Sequence, residues 1–163
     1  MSRPLDTANL PAPLTPEVIK DFLTIGVPYR LKMLDFAADV LPEAKSTKES
    51  AFIEVGIVTG RLLLEFLGVG SKGDVNPKLI ENRSHQSRKG KTDDVKITDL
   101  GGAFVDLDTL NDKKKDTRAR FHRGASKASA HFTWDSGHQL DPATLGSAMA
   151  LIGDLVRSHL PKQ

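Results

Sequence analysis

Cysteine is absent from the 163 residues. That excludes a disulfide framework, a thiol nucleophile and any zinc–thiolate centre, and it fits a reducing compartment. Aromatic residues are scarce, at 6% of the chain with one tryptophan and one tyrosine. A base-stacking platform for single-stranded nucleic acid is therefore not evident. No long apolar run exists either. The most apolar stretch, Ala51–Leu67, is broken by Gly56, Gly60, Arg61 and Glu65, whereas a membrane span needs about 20 predominantly apolar residues. The opening run MSRPLDTANLPAPLTP has no apolar segment of signal-peptide length. The expectation is a cytoplasmic protein with no membrane partner.

Hydrophobic residues make up 39% and charged residues 27%, which is ordinary globular composition. A chain of this length can bury enough surface to fold as one domain without a staple. The net charge of +2 hides an uneven distribution. Residues 78–127 carry 13 basic and 8 acidic side chains, while residues 1–77 carry 8 and 10. The middle of the chain thus has a weak preference for anionic partners.

Helical punctuation is frequent. Residues 1–14 hold three prolines and read as an irregular arm; residues 15–163 read as a single helical domain. Thr15-Pro16-Glu17 has the form of a helix start, with Val18, Phe22 and Ile25 as its apolar stripe. Gly26 ends or bends that helix. Pro28 can open the next, with Leu31, Leu34, Ala38 and Leu41 inward and Pro42 at the exit. Ser46-Thr47-Lys48-Glu49 matches a capping box, and Gly68 suits the C-terminal stop of the helix between them. That helix carries two apolar stripes, Phe52/Val55/Leu62/Phe66 and Ile53/Ile57/Leu64/Leu67, so it is expected to be central and buried.

Residues 69–93 are rich in glycine, polar and basic residues and read as a long polar loop. Residues 95–107 fit either a small β-hairpin around Gly101-Gly102 or an extended crossing segment. Residues 109–133 read as helix, broken near Lys113–Lys115, with Asp108 as N-cap and Phe121 and Ala125 on the packed side. Asp141-Pro142 starts a last helix, with Leu145, Met149, Ile152 and Val156 on one face. The predicted fold class is mainly α: a bundle of about five helices, with the Ser46–Leu67 helix packed centrally against the two later ones.

Several motif fragments fail on context. Gly68–Gly73 spells GxGxxG but follows a helix rather than a strand. Gly90-Lys91-Thr92 resembles the end of a P-loop, but His85 stands where its first glycine belongs. Asp106 and Asp108 lack the rest of a calcium loop. His131, Asp135 and His138 would share a face on one continuous helix, but Ser136-Gly137 ends it first. No metal or other cofactor is expected, and no GxSxG element is present.

Two constellations remain. Glu54, Arg61 and Glu65 share a face of the central helix. They form either an internal salt-bridge cluster, a solvated stripe, or the polar lining of a pocket within the bundle. Arg120, Arg123, Lys127 and His131 form a cationic stripe, either a solvated face or a phosphate-contacting surface that the basic loop 83–91 extends.

The run EVGIVTGRLLLEFLG at 54–68 and the later KASAHFTW at 127–134 resemble a group of bacterial all-helical proteins similar to the HEPN superfamily. The resemblance implies a helical bundle, often dimeric. In members that cleave RNA without metal, it implies an arginine and a histidine at short spacing on one helix. His131 corresponds to that histidine; Arg123 lies farther back than the spacing and Lys127 closer. The reading that follows first is a ligand- or partner-binding bundle without catalysis, with Glu54, Arg61, Glu65 and Arg120 as binding residues and a homodimer as one expected assembly. The alternative is an RNA-cleaving or RNA-binding protein. It would use His131 with Arg123 or Lys127, and contact RNA or another anion through 83–91 and 118–131.

Overall fold

A computed structural model describes residues 14–43, 47–83, 94–130 and 141–161. The chain is mainly α with a small two-stranded hairpin. Helix α1 (Pro16–Asp21) runs through a π-helical turn, Phe22–Gly26, into α2 (Val27–Val40). Helix α3 spans Thr47–Phe66, α4 Asp112–Ala130 and α5 Pro142–His159. Because α1 and α2 are continuous, the described residues contain four helical rods, one fewer than expected.

The helix starts follow their local chemistry. Thr15 Oγ1 accepts from the Val18 N–H, and Asp141 accepts from the Thr144 N–H, each followed by proline at the first turn. Ser46 of the expected capping box lies outside the described residues. Gly68 adopts φ +74° just past α3, as the expected stop requires, and a Cβ there would sit 2.5 Å from the Phe104 ring. Asn111, not Asp108, caps α4 by accepting from the Lys114 N–H. Asp108 belongs to a 3-10 turn capped by Asp106, so α4 starts later than expected and passes through Lys113–Lys115 unbroken.

The strands lie where a loop was expected. β1 (Val69–Lys72) pairs antiparallel with β2 (Lys78–Glu81), Gly70 opposite Ile80 and Ser71 opposite Leu79. Gly73, at φ +100°, begins the turn that Pro77 closes. The reading of 69–93 as one polar loop is thus corrected for its first half; residues 84–93 lie outside the described set. No hairpin forms at 95–107. Ile97–Leu100 is a 3-10 turn ended by Gly101 at φ +83°, and an extended stretch follows. Ile97, Leu100 and Val105 are buried there, so the apolar run anchors a crossing segment rather than a strand pair.

Helix α3 is central: α2, α4, α5 and β1 all pack on it. Its buried side is Gly56, Thr59, Gly60, Leu63, Leu64 and Leu67. Of the two expected stripes, Leu64 and Leu67 are fully buried, but Val55 and Leu62 are 45% and 46% exposed. The expectation of burial on most sides is corrected accordingly. The glycines bring neighbouring helices so close that the core closes on one flank, leaving the opposite flank uncovered. A Cβ on Gly56 would sit 2.2 Å from Ala37 Cβ, and one on Gly60 2.6 Å from Phe121 Cζ. In the first rod, Val18 and Ile25 are exposed rather than inward. Phe22, the middle member of that stripe, is half-buried and packs against the core.

Candidate functional site

Two groups of polar residues meet at the C-terminal half of α3. Arg61 Nε donates to Glu65 Oε1 at 2.9 Å, one helical turn on. His122, buried on α4, places Nε2 3.5 Å from the same carboxylate oxygen. Its Nδ1 lies 2.9 Å from Ser71 Oγ on β1. The Nε2 contact is longer than an ordinary hydrogen bond and is electrostatic, while the Ser71–His122 hydrogen bond runs in the direction the protonation of the ring sets. Burial alone would raise the Glu65 carboxyl; hydrogen bonds and charge from His122 and Arg61 outweigh it and hold the group at about 2. The result is a relay from α3 through α4 to β1 that pins the hairpin to the helices. It has the residue types of a serine–histidine–acid set, yet neither Ser71 nor His122 lines either of the two hollows beside α2 and α3.

The second group surrounds a hollow of about 240 Å³. Phe22, Val27, Leu62, Leu63, Phe66 and Val95 form apolar walls, with Arg30, Glu65, Asp94 and Lys96 as the polar residues. Lys96 is 3% exposed. Its Nζ donates to the Glu65 backbone carbonyl at 2.9 Å, and its own N–H is held by Asp99 Oδ2 at 2.7 Å. The ammonium therefore sits at the negative end of the α3 dipole. Among the described residues, no carboxylate pairs with it. Arg30 is exposed, and its Nη1 donates to the Gly26 carbonyl at 3.1 Å. A second hollow, wider and shallower at about 700 Å³, runs along α2 past Phe36 and Phe52.

The expected site residues divide. Arg61 and Glu65 come together as the spacing requires, but Glu54 is exposed, two turns back along the helix. Arg120 pairs with Asp116 at 2.8 Å on the surface of α4. Arg123 pairs with Asp74 in the hairpin turn, and Lys127 stands 3.5 Å from the same carboxylate. A phosphate reaching these two cations has to compete with Asp74. Arg118, inside the expected anion surface, is instead buried, donating to the Leu151 carbonyl at 2.8 Å and tying α4 to α5. Arg83 pairs with Glu81 at 2.8 Å and lies 5.8 Å from the Phe104 ring centre. His131, Asp135 and His138 lie outside the described residues, as do His85, Arg88, Lys89 and Lys91. Among the described residues no cluster of metal-ligating side chains occurs, and no helix is long and apolar enough to cross a membrane.

Sequence reasoning missed His122, Ser71 and Lys96. Lys96 had a signal: a lone lysine inside the apolar run Val95–Ile97 is buried if the run is. His122 had a weaker one, its position beside Phe121, and Ser71 had none. No family model, no curated protein and no solved structure matches the chain.

Proposed function

We propose that the protein is a ligand-binding bundle whose hollow between the α1–α2 rod, α3 and the 94–96 segment takes a small amphipathic carboxylate. One observation carries this reading: the buried Lys96 ammonium stands at a cavity of apolar walls with a backbone carbonyl as its partner. A buried charge without a counter-ion costs several kcal/mol, and an anion in the cavity supplies one. Arg30 also lines the cavity but is exposed, so solvent screens its charge. Glu65 does not cancel the Lys96 charge, because its carboxylate is already paired with Arg61 at 2.9 Å. Asp94 is exposed, so solvent screens its charge. The apolar body of the ligand lies against Phe22, Leu62 and Phe66.

The volume of about 240 Å³ corresponds to on the order of eight non-hydrogen atoms at ~30 Å³ each. Hexanoate is a probe of that size, with 1-hexanol as its uncharged counterpart. A ligand this small binds with a Kd between about 1 mM and tens of micromolar. The charge-assisted contact favours hexanoate over hexanol by about tenfold or more. Calorimetric titration of both probes into the wild type and Lys96→Met checks this. The variant retains its fold by circular dichroism, loses the preference for the acid, and changes ligand-free stability by only about 1 kcal/mol. Equal binding of acid and alcohol to the wild type, or no binding of either, removes the reading.

A further inference from the structure

The outward flank of α3 carries an apolar pattern of which the hollow uses only Leu62. Ala51, Val55, Val58 and Leu62 step by four, three and four residues, which is the spacing of a two-heptad seam. All four are exposed, Val58 at 42%. An apolar seam of this kind on a described helix is unlike scattered surface hydrophobics, because every member falls on one line. Glu54 and Arg61 border the same edge of it, each one residue before a seam position.

We propose that a second copy of this chain covers the seam, α3 lying antiparallel to α3 about a two-fold axis between Val55 and Val58. The pattern is self-complementary in that arrangement alone. Val55 faces Val58 of the second copy, and Ala51 faces Leu62, so small sits against large. The residues along the border then pair acid with base: Glu54 meets Arg61 of the second copy, and the two-fold axis repeats the contact at the other end. In a parallel arrangement, the border residues meet unlike positions of the facing edge and the Glu54–Arg61 match is lost. The Arg61 guanidinium has five donors, and the one on Nε holds Glu65.

The test uses charge reversal and mixing, read by sedimentation velocity over a concentration series. The wild type dimerises as concentration rises. Glu54→Arg and Arg61→Glu each place like charges at both ends of the seam, and each raises the dimer Kd by at least tenfold. An equimolar mixture of the two variants restores a dimer. One end of the mixed seam then joins the arginine introduced at position 54 to the glutamate introduced at position 61, and the other end keeps the native Glu54–Arg61 pair. Loss of fold in either variant cannot produce that rescue, and Val58→Asp provides a monomeric control that leaves the borders intact. A wild type that stays monomeric at its highest soluble concentration overturns the proposal. So does a wild-type dimer that both reversals leave unchanged, or one that mixing fails to restore. Glu54 and Val58 line no wall of the hollow, whereas Arg61 holds the lining residue Glu65, so hexanoate binding is titrated on Glu54→Arg and Val58→Asp and stands or falls separately.

Discussion

Over residues 55–62 the two flanks of α3 invert the usual assignment of residue size to burial. The inner flank presents Gly56, Thr59 and Gly60; the outer flank presents Val55, Val58 and Leu62. Ranked by transfer free energy, the valines belong inside. What decides the matter is distance. Glycine lets α2, α4 and α5 approach α3 closely enough for Leu34, Phe121 and Met149 to be fully buried. The apolar area enclosed by those large side chains outweighs what two buried valines would add. Small residues at a helix crossing are thus core residues in the energetic sense, and the large ones opposite remain for contacts beyond the single chain.

The most damaging way to break this contrast is to add one methyl group to the inner flank. A Cβ on Gly56 overlaps Ala37 Cβ and comes within 3.1 Å of Met149 Cε. Gly56→Ala gains about 1 kcal/mol of helix propensity, but overpacking costs about 1–3 kcal/mol and more where backbone must shift. The overlap with a Cβ, which cannot rotate away, puts the outcome at the upper end. Urea denaturation shows a net loss of about 2 kcal/mol. Ala37→Gly in the same chain recovers part of it, because the clash is pairwise.

That contrast also marks what the sequence made legible. Caps and stops were readable, because Thr15-Pro16, Asp141-Pro142 and Gly68 act through their own local chemistry. The face of α5 was readable for the same reason: Leu145, Met149, Ile152 and Val156 recur at helical spacing and are buried together. Val55 and Leu62 of the outer seam were misjudged as core because periodicity reports an apolar stripe, not what covers it. The β-hairpin was hidden by its length; four-residue strands with one or two apolar side chains do not rise above loop composition. Of the site, the Arg61–Glu65 pair was visible as an i,i+4 spacing. Lys96 reaches Glu65 across 31 residues of chain, and His122 reaches Ser71 across 51. No local rule connects residues so far apart.

A second, smaller effect separates the polar inner corner of α3 from its exposed acid. Glu65 titrates at about 2, below the 4.5 of an unfolded chain. A depressed carboxyl contributes stability that is fully present above the unfolded value and is lost as pH falls through the folded one. The loss runs from near pH 4.5 down to about 2 and amounts to on the order of 1–2 kcal/mol for a quarter-exposed group. Glu65→Gln removes that component, so the stability difference between wild type and variant narrows as pH is lowered through this window. A difference that stays constant from pH 7 to pH 2.5 would show that the relay to His122 and Arg61 does not hold the carboxylate.

The smallest effect sharpens the comparison most. Val58→Lys replaces an exposed seam residue, and surface changes of this kind alter the stability of an isolated chain by about 0.5 kcal/mol or less. At high dilution the variant and the wild type therefore unfold at the same urea concentration within error. As protein concentration rises the two separate, because association stabilises the folded state by mass action and only the wild type associates. The midpoint of the wild type climbs while that of Val58→Lys stays flat. The same substitution made one flank away, at Gly60, is destructive at every concentration, since any side chain there meets the Phe121 ring. A wild-type midpoint independent of concentration leaves the seam as bare surface, and the valines of α3 then contribute no more than any other exposed side chain.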